Sequence, residues 1–292
     1  YEISLGLVGS EMCIRDRDLL IQKTDADRYI ARNITIIRRV PINDDNIALI
    51  LNVISDEMNN TSEKIAMKYE KLIKEKRFEK IEKAITFIPD NDFLKRKFLR
   101  LGLLRRFITA SIPRHYTRFI KRSRIRKKIE EKANRKLDEI LPETSSKIKK
   151  IVEIVKDWAY LSDKIAILTS FIITAKAIRE QLKEIGVKVY LITGKTPNKG
   201  EILRNFKSEK TKSVLILTPV GERDIDLSEV NLLIVHDVIS TVKTMYQRFK
   251  RGRRCLILIL YYKDTFEERK VKILIDRVKK QYPWSIKIEN TE

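Results

Sequence analysis

Apolar and polar positions change their rhythm near residue 145. Beyond it, short apolar runs rich in β-branched residues recur between helical stretches: KIAILTS, KVYLIT, SVLILT, NLLIVHD and CLILILYY. Runs with no outward-facing polar position are strands buried on both faces, and their alternation with helices predicts a parallel sheet. A helix over Ile148–Leu161 leads in, another runs to Phe249, and a long one closes the series. The fold class expected for residues 145–292 is α/β, with helices on both faces and all strand C-terminal ends along one edge, where ligands bind.

Before residue 145 the period is helical. Ile47, Ile50, Leu51 and Ile54 recur at helical spacing, a second helix is predicted from Ser62 to about Arg77, and a third over Phe93–Phe107, broken near Pro113. A long helix is predicted over Tyr116–Ile140, and Pro142 with the polar ETSS after it suggests a hinge. Residues 46–144 are thus expected to be an all-α domain. ITIIRRV (Ile34–Val40) is extended and closed by Pro41, within a connecting stretch at 18–45. The chain has room for two domains, each with its own core.

Tyr1–Arg17 starts without Met and has no clear period. It resembles translated sequencing-adapter read-through at the end of a gene model, so it is expected to be non-native and the chain to be a fragment. A short natural strand and loop is the alternative.

Charge adds a partner to this picture. Lys and Arg number 62 against 40 Asp and Glu, a formal net charge of +22, which favours a polyanion, nucleic acid ahead of a membrane surface. A lysine-coated thermophile surface is the plainer alternative, and the lysine- and isoleucine-rich composition hints at a thermophilic archaeon. Phe93–Ile129 holds fourteen Lys and Arg and no acidic residue, with Arg105, Arg106, Arg114, Arg118, Arg122 and Arg126 interleaved with Phe107, Tyr116 and Phe119. Such a face binds duplex backbone electrostatically, or else is simply solvated. Cys13 and Cys255, His115 and His236 have no metal-ligand spacing, so no metal site is expected. The longest apolar run, Cys255–Tyr262, is strand length, which predicts no membrane span and a soluble, cytoplasmic protein.

The strand ends carry the candidate chemistry: Thr169 and Ser170; Thr193, Gly194 and Lys195; Thr218 and the loop PVGERDIDL. Hydroxyls and backbone amides at strand-to-helix turns suit phosphate oxygens. Gly194-Lys195-Thr196 is not a phosphate-binding P-loop, because Val189 stands where that pattern needs glycine. No acidic box follows a strand either, so no complete ATP site is expected in the chain.

Order and spacing of these segments resemble the C-terminal RecA-like domain of superfamily 2 helicases, and most of all the archaeal Hef-type and Fanconi-anaemia-M-like DNA helicases. AILTSFIITAKAIREQL resembles motif IV, LITGKTPNKGEILRNFK the glycine-containing motif after it, VLILTPVGERDIDLSEVNLLIVHD motif V, and TVKTMYQRFKRGRR motif VI. The resemblance covers about Ser145–Glu268. DADRYIARNITIIRRVPIND resembles the stretch leaving a first motor domain, which places residues 46–144 as the basic helical insert between the two motors.

The resemblance implies an ATP-dependent helicase or translocase acting on DNA, with forked or branched structures and DNA repair as its setting. Thr218, Thr169, Gly194 and Lys195 would meet the tracking strand, and Arg105, Arg106, Arg118 and Arg122 of the insert would meet duplex. Gln247, Arg248 and Arg251 would face ATP, with Arg251 as the arginine finger; Gly221, Asp226 and Arg254 would complete the nucleotide side. The Mg²⁺ that accompanies ATP would be held by the first motor domain. Plainer roles remain open: Arg248 and Arg251 as surface charges, and Thr169 as a helix cap. Three departures bear on catalysis. Asp224, Lys250 and Arg253 stand where the family has glycine, which leaves open a non-catalytic nucleic-acid-binding module. An RNA helicase would share every motif.

Overall fold

A computed structural model describes residues 35–75, 84–158, 164–219, 225, 227, 229–238, 256–281 and 286–289. Its centre is a seven-stranded sheet in which every pairing is parallel. In chain order the strands are β1 (Thr35–Ile42), β2 (Lys164–Leu168), β3 (Lys188–Ile192), β4 (Ser213–Leu217), β5 (Leu232–Val235), β6 (Leu256–Tyr262) and β7 (Ile286–Glu289), arranged 3-4-2-5-6-1-7. All five strands expected beyond residue 145 form. β2, β4 and β5 are buried at every position, as uninterrupted apolar runs require.

Between β1 and β2 lie α1 (Asp45–Lys68), α2 (Glu70–Glu75), α3 (Phe93–Ala110), α4 (Pro113–Lys121), α5 (Ile125–Ala133), α6 (Leu137–Ile140) and α7 (Ser146–Asp157). α8 (Ile172–Glu184) and α9 (Lys199–Ser208) cross over from β2 to β3 and from β3 to β4, and α10 (Phe266–Gln281) follows β6. α9 and α10 cover one face of the sheet, with Phe206, Val271, Ile275 and Val278 buried there. α7, α8 and the helices of residues 45–140 cover the other, where Ile54, Ile108, Ile120, Ile151 and Ile178 share one core with Ile167, Ile216 and Ile234.

Four features depart from the expected pattern or add to it. First, β1 belongs to this sheet. It pairs with β6 over Ile36–Ile42, so Pro41 lies inside the strand opposite Tyr261. The missing N–H is tolerated because β7 pairs only with Thr35–Arg38, leaving the last half of β1 as an edge among the described residues. Second, most of the buried face of the helical part is continuous with that of the sheet, beside a small cluster of its own formed by Ile65, Ile85 and Ile88. Third, α1 is one helix through Asn59-Asn60, where two were expected. Fourth, the helix expected over Tyr116–Ile140 is three short ones. Pro113 starts α4 at its first turn, Ser123 bonds the Ile125 N–H through its side chain, and Asn134 ends α5 in the left-handed region (φ 49°).

Local caps set the remaining boundaries. α8 ends in a Schellman motif: Gly186 at φ +76° donates to Lys183 O, and Val187 donates to Leu182 O. Asp92 caps α3, accepting from Lys95 N (2.8 Å), Lys68 Nζ (2.6 Å) and Tyr69 Oη (2.8 Å). The Lys68 ammonium, backed by the other two donors, holds the Asp92 carboxyl down at about 2 despite burial. A depressed folded-state pKa means that this stabilisation is complete above the ordinary carboxylate value, about 4, and disappears as pH falls through about 2. Asp92→Ala is expected to cost about 1–2 kcal/mol at neutral pH in denaturant unfolding, a difference that vanishes toward pH 2.

Candidate nucleic-acid interface

The sheet register places four polar residues one step beyond the last paired positions. Leu168 is opposite Leu217 and Val235, and Leu217 is opposite Ile192. The ladder then continues: Thr218 N donates to Ile192 O (3.3 Å), Thr169 N to Leu217 O (3.1 Å) and His236 N to Leu168 O (2.9 Å). Thr193, Thr218, Thr169 and His236 therefore form a row across β3, β4, β2 and β5, with neighbouring strands roughly 4.8 Å apart. Two-residue periodicity puts all four on the face of Ile167, Ile216 and Ile234. The row spans the boundary between β2, whose crossover runs toward β3, and β5, whose chain runs to β6 on the opposite side. Such a switch point is where open parallel sheets bind ligands.

All four are buried, and two polar atoms in the row, Thr169 Oγ1 and His236 Nε2, have no partner among the described residues. An unsatisfied buried hydroxyl and imidazole nitrogen are costly, and a ligand oxygen or a bridging water would satisfy them. His236 is held from behind: its Nδ1 lies 3.1 Å from Asp237 Oδ1, and Asp237 also accepts from Ser170 N (2.9 Å) and Ser170 Oγ. Burial pushes the Asp237 carboxyl up, but the His236 and Ser170 bonds outweigh it and leave the pKa below its ordinary value. The carboxylate with its fixed imidazole turns the strand ends of β2 and β5 into one rigid unit.

Gly194 and Lys195 lie exposed on the turn after β3. Lys195 N donates to Thr193 Oγ1 (3.2 Å), and Thr196 closes the turn through Thr193 N (2.8 Å) and Thr193 Oγ1 (3.1 Å). The Lys195 amide is therefore occupied, and its side chain is exposed. Arg105 is half-buried, its guanidinium 4.0 Å from the Phe266 ring at the seam of α3 and α10. Arg106 is exposed, 5.7 Å from the Phe171 ring. Arg118 and Arg122 are exposed on α4 and its C-cap, where with Arg114 and Lys121 they line an open groove of about 640 Å³. Lys121 pairs with Asp138 across it (2.5 Å).

Sequence reasoning missed the residue that joins these two surfaces. Lys147 is fully buried, and its Nζ donates to Thr109 O (3.1 Å), His236 O (3.1 Å) and Glu267 Oε1 (2.7 Å). Glu267 Oε2 accepts from Tyr262 N (2.9 Å), and Thr174 Oγ1 donates to Ala110 O (2.9 Å). The carbonyls at the end of α3, which no helical turn can satisfy, are thus capped by a cation from α7 and a hydroxyl from α8. One lysine ties α3 to the strand end that carries His236. Its neighbours in SKIKK give no hint of burial, but His236 and Asp237 were findable by the strand-end rule that singled out Thr169 and Thr218.

Gly221, Asp226, Gln247, Arg248, Arg251 and Arg254 lie outside the described residues. Ile225 and Leu227, which flank position 226, are buried in the core on the α9–α10 face. Among the described residues no group of three His, Cys, Asp or Glu side chains could hold a metal ion, and no helix is long and apolar enough to cross a membrane.

Residues 146–255 match the family "Helicase conserved C-terminal domain". The antiviral innate immune response receptor RIG-I of Sus scrofa is 28% identical over 125 residues, 40% of this chain and 12% of that protein. The human receptor is 27% identical over 147 residues, 47% of this chain and 15% of that protein. The chain thus spans under a sixth of the curated relatives it matches. Among solved structures, the Pyrococcus furiosus Hef helicase domain superposes with a TM-score of 0.55 at 16% identity, covering 83% of this chain and 58% of that one. The Sulfolobus solfataricus SWI2/SNF2 ATPase core in complex with dsDNA gives 0.53 at 18% identity, covering 85% and 45%. At these identities the likeness concerns the fold, which here includes the helices before residue 145. The family match and the all-parallel sheet with its polar C-terminal edge mark residues 146–255 as a region similar to the conserved C-terminal domain of helicases.

Proposed function

We propose that the chain carries the basic helical insert and second motor domain of an ATP-dependent helicase or translocase acting on DNA, with forked or branched DNA as its substrate. The observation that supports this best is the row Thr193–Thr218–Thr169–His236, with its two unsatisfied polar atoms, at the switch point of a sheet to which an arginine-rich helical layer is bonded. Phosphate oxygens of a tracking strand satisfy Thr169 and Thr218, while Arg106, Arg114, Arg118 and Arg122 neutralise duplex phosphates. The SWI2/SNF2 core whose fold this chain shares is bound to dsDNA, and that precedent motivates the DNA reading.

ATP supplies the free energy for movement when both motor domains close on it. In this reading Gln247, Arg248 and Arg251 face the nucleotide from the second motor, Gly221, Asp226 and Arg254 support them, and the Mg²⁺ ligands belong to the first. Arg251 would stabilise charge on the transferred phosphoryl group, an effect worth roughly 10³–10⁵ in rate. A second reading, a non-catalytic DNA- or RNA-binding platform, is favoured by Asp224, Lys250 and Arg253 in place of glycine near phosphate.

The test is binding and turnover on the purified 292-residue chain. Labelled forked DNA is expected to bind more tightly than double-stranded RNA of equal length at matched salt, with no DNA-stimulated hydrolysis of radiolabelled ATP. Equal or tighter RNA binding overturns the DNA assignment, and robust turnover overturns the division of the ATP site between two domains. Turnover regained on adding a first motor domain separates the motor from the platform.

A further inference from the structure

An aromatic step stands beside the polar row, and nothing in the motor reading uses it. Phe171 lies two residues past Thr169, at the start of α8. Its ring centroid is 5.6 Å from Phe107 on α3 and 6.1 Å from His115 on α4. Phe107 and His115 are 5.1 Å apart, and Phe119, one turn beyond His115, is 5.2 Å from Phe107 and 5.9 Å from His115. Ser111 fixes the imidazole through a 2.7 Å bond to His115 Nδ1. The cluster therefore runs without a break from the phosphate-facing strand end to the arginine stripe of α4.

Its outermost member is open: Phe119 is 48% exposed. Arg114, Arg118 and Arg122, at i, i+4 and i+8, form the stripe alongside His115 and Phe119, and Arg106 sits over Phe171. Every charged side chain between Arg100 and Arg126 is cationic. A rigid aromatic face flanked on its own helices by cations, with Asp138 and Glu143 as the acidic residues across the adjoining groove and Asp138 paired to Lys121, suits a flat π-system carried on a polyanion. An acidic protein segment would match the charge but would gain little from a single ring held tilted against Phe107 and edge-on to His115. A nucleobase gains both the ring face and the phosphate contacts.

We propose that Phe119, braced by Phe107, His115 and Phe171, is a stacking platform for an unpaired nucleobase where a strand passes between the sheet edge and the arginine-lined groove. This rests on the nucleic-acid reading above and adds to it a site for single-stranded character. Phosphate contacts alone carry no preference for unpaired bases, whereas a stacking face does.

The probe is a labelled oligodeoxynucleotide, used intact, with a single abasic position scanned along it, or with 2-aminopurine scanned along it, titrated into the full chain. Binding is expected to quench 2-aminopurine at one position, and an abasic site there to weaken the wild type by about 5- to 100-fold. Phe119→Ala and Phe119→Leu should both lose the quench and that discrimination, Phe119→Trp should keep them, and all three should match wild type on the oligonucleotide abasic at that position. Phe119→Leu keeps apolar packing, so its melting temperature separates folding from recognition. Tight wild-type binding without quenching at any position overturns the platform and leaves the nucleic-acid reading intact, as would full discrimination by Phe119→Leu. Failure of the wild type to bind any oligonucleotide overturns both.

Discussion

Lys147→Ala is expected to destabilise the fold by about 3–5 kcal/mol, the range for removing one partner of a buried ion pair. The side chain is fully buried and its partner, Glu267, is almost as inaccessible (3%). Truncation leaves the carboxylate without its cation, deprives Thr109 O and His236 O of a donor, and opens a void against the Tyr262 ring, whose centroid is 4.8 Å from Nζ. An exposed pair such as Lys150–Glu153 gives the contrast: its removal should change stability by under about 1 kcal/mol. Lys147→Met with Glu267→Gln should recover part of the loss, because no unpaired charge then remains buried, although the two carbonyls still lack a donor. Urea unfolding of the single and double variants measures the coupling directly. A Lys147→Ala variant within about 1 kcal/mol of wild type would mean that water or rearrangement replaces the ammonium, and that the seam is looser than its geometry.

The same substitution has a local signature. α3 would lose the cation at its C-terminal carbonyls, so its last turn and the segment through Ser111 should exchange amide hydrogens faster than β2 or β4, which keep their pairing. The consequence reaches the site, because the carbonyl that Lys147 holds belongs to His236 of the polar row. Basic helices and polar strand ends are thus positioned by one buried side chain, and stability and nucleic-acid affinity should fall together in this variant. They should separate in an α4 surface variant.

What the sequence revealed follows from where information is local. β2 to β6 were legible because doubly buried parallel strands must be apolar throughout, and Thr169 and Thr218 because they end such runs. β1 was legible as extended but not as a member of this sheet, since its partner β6 is encoded more than 200 residues later and nothing local specifies a parallel neighbour. β7, four residues with two isoleucines, is too short to stand out. The breaks in Tyr116–Ile140 were hidden because Arg and Lys favour helix throughout; only Ser123 and the left-handed Asn134 mark them. Lys147 was illegible for the opposite reason, being a surface-type residue whose burial is decided by acceptors up to 120 positions away.

Nucleic-acid affinity is expected to fall about 10³-fold or more between 50 and 200 mM salt, the behaviour of a protein that neutralises six or more phosphates. Replacing Arg114, Arg118 and Arg122 together with alanine should reduce the slope of log affinity against log salt by about 2.7, roughly 0.9 for each phosphate left unneutralised. These side chains project from one face of a single helix, and α4 keeps its buried anchors Tyr116 and Ile120, so the fold should survive. Replacement by lysine should restore most of the slope, because counterion release counts charge more than guanidinium geometry. Thr218→Val should instead weaken binding at every salt concentration and leave the slope unchanged, since a neutral hydroxyl releases no counterion. Phe119→Ala should do likewise, and only toward substrates with an unpaired base. Three surfaces on one rigid body thereby become separable in a single series of titrations. A triple arginine variant that keeps the wild-type slope would move the phosphate-binding surface off α4 altogether.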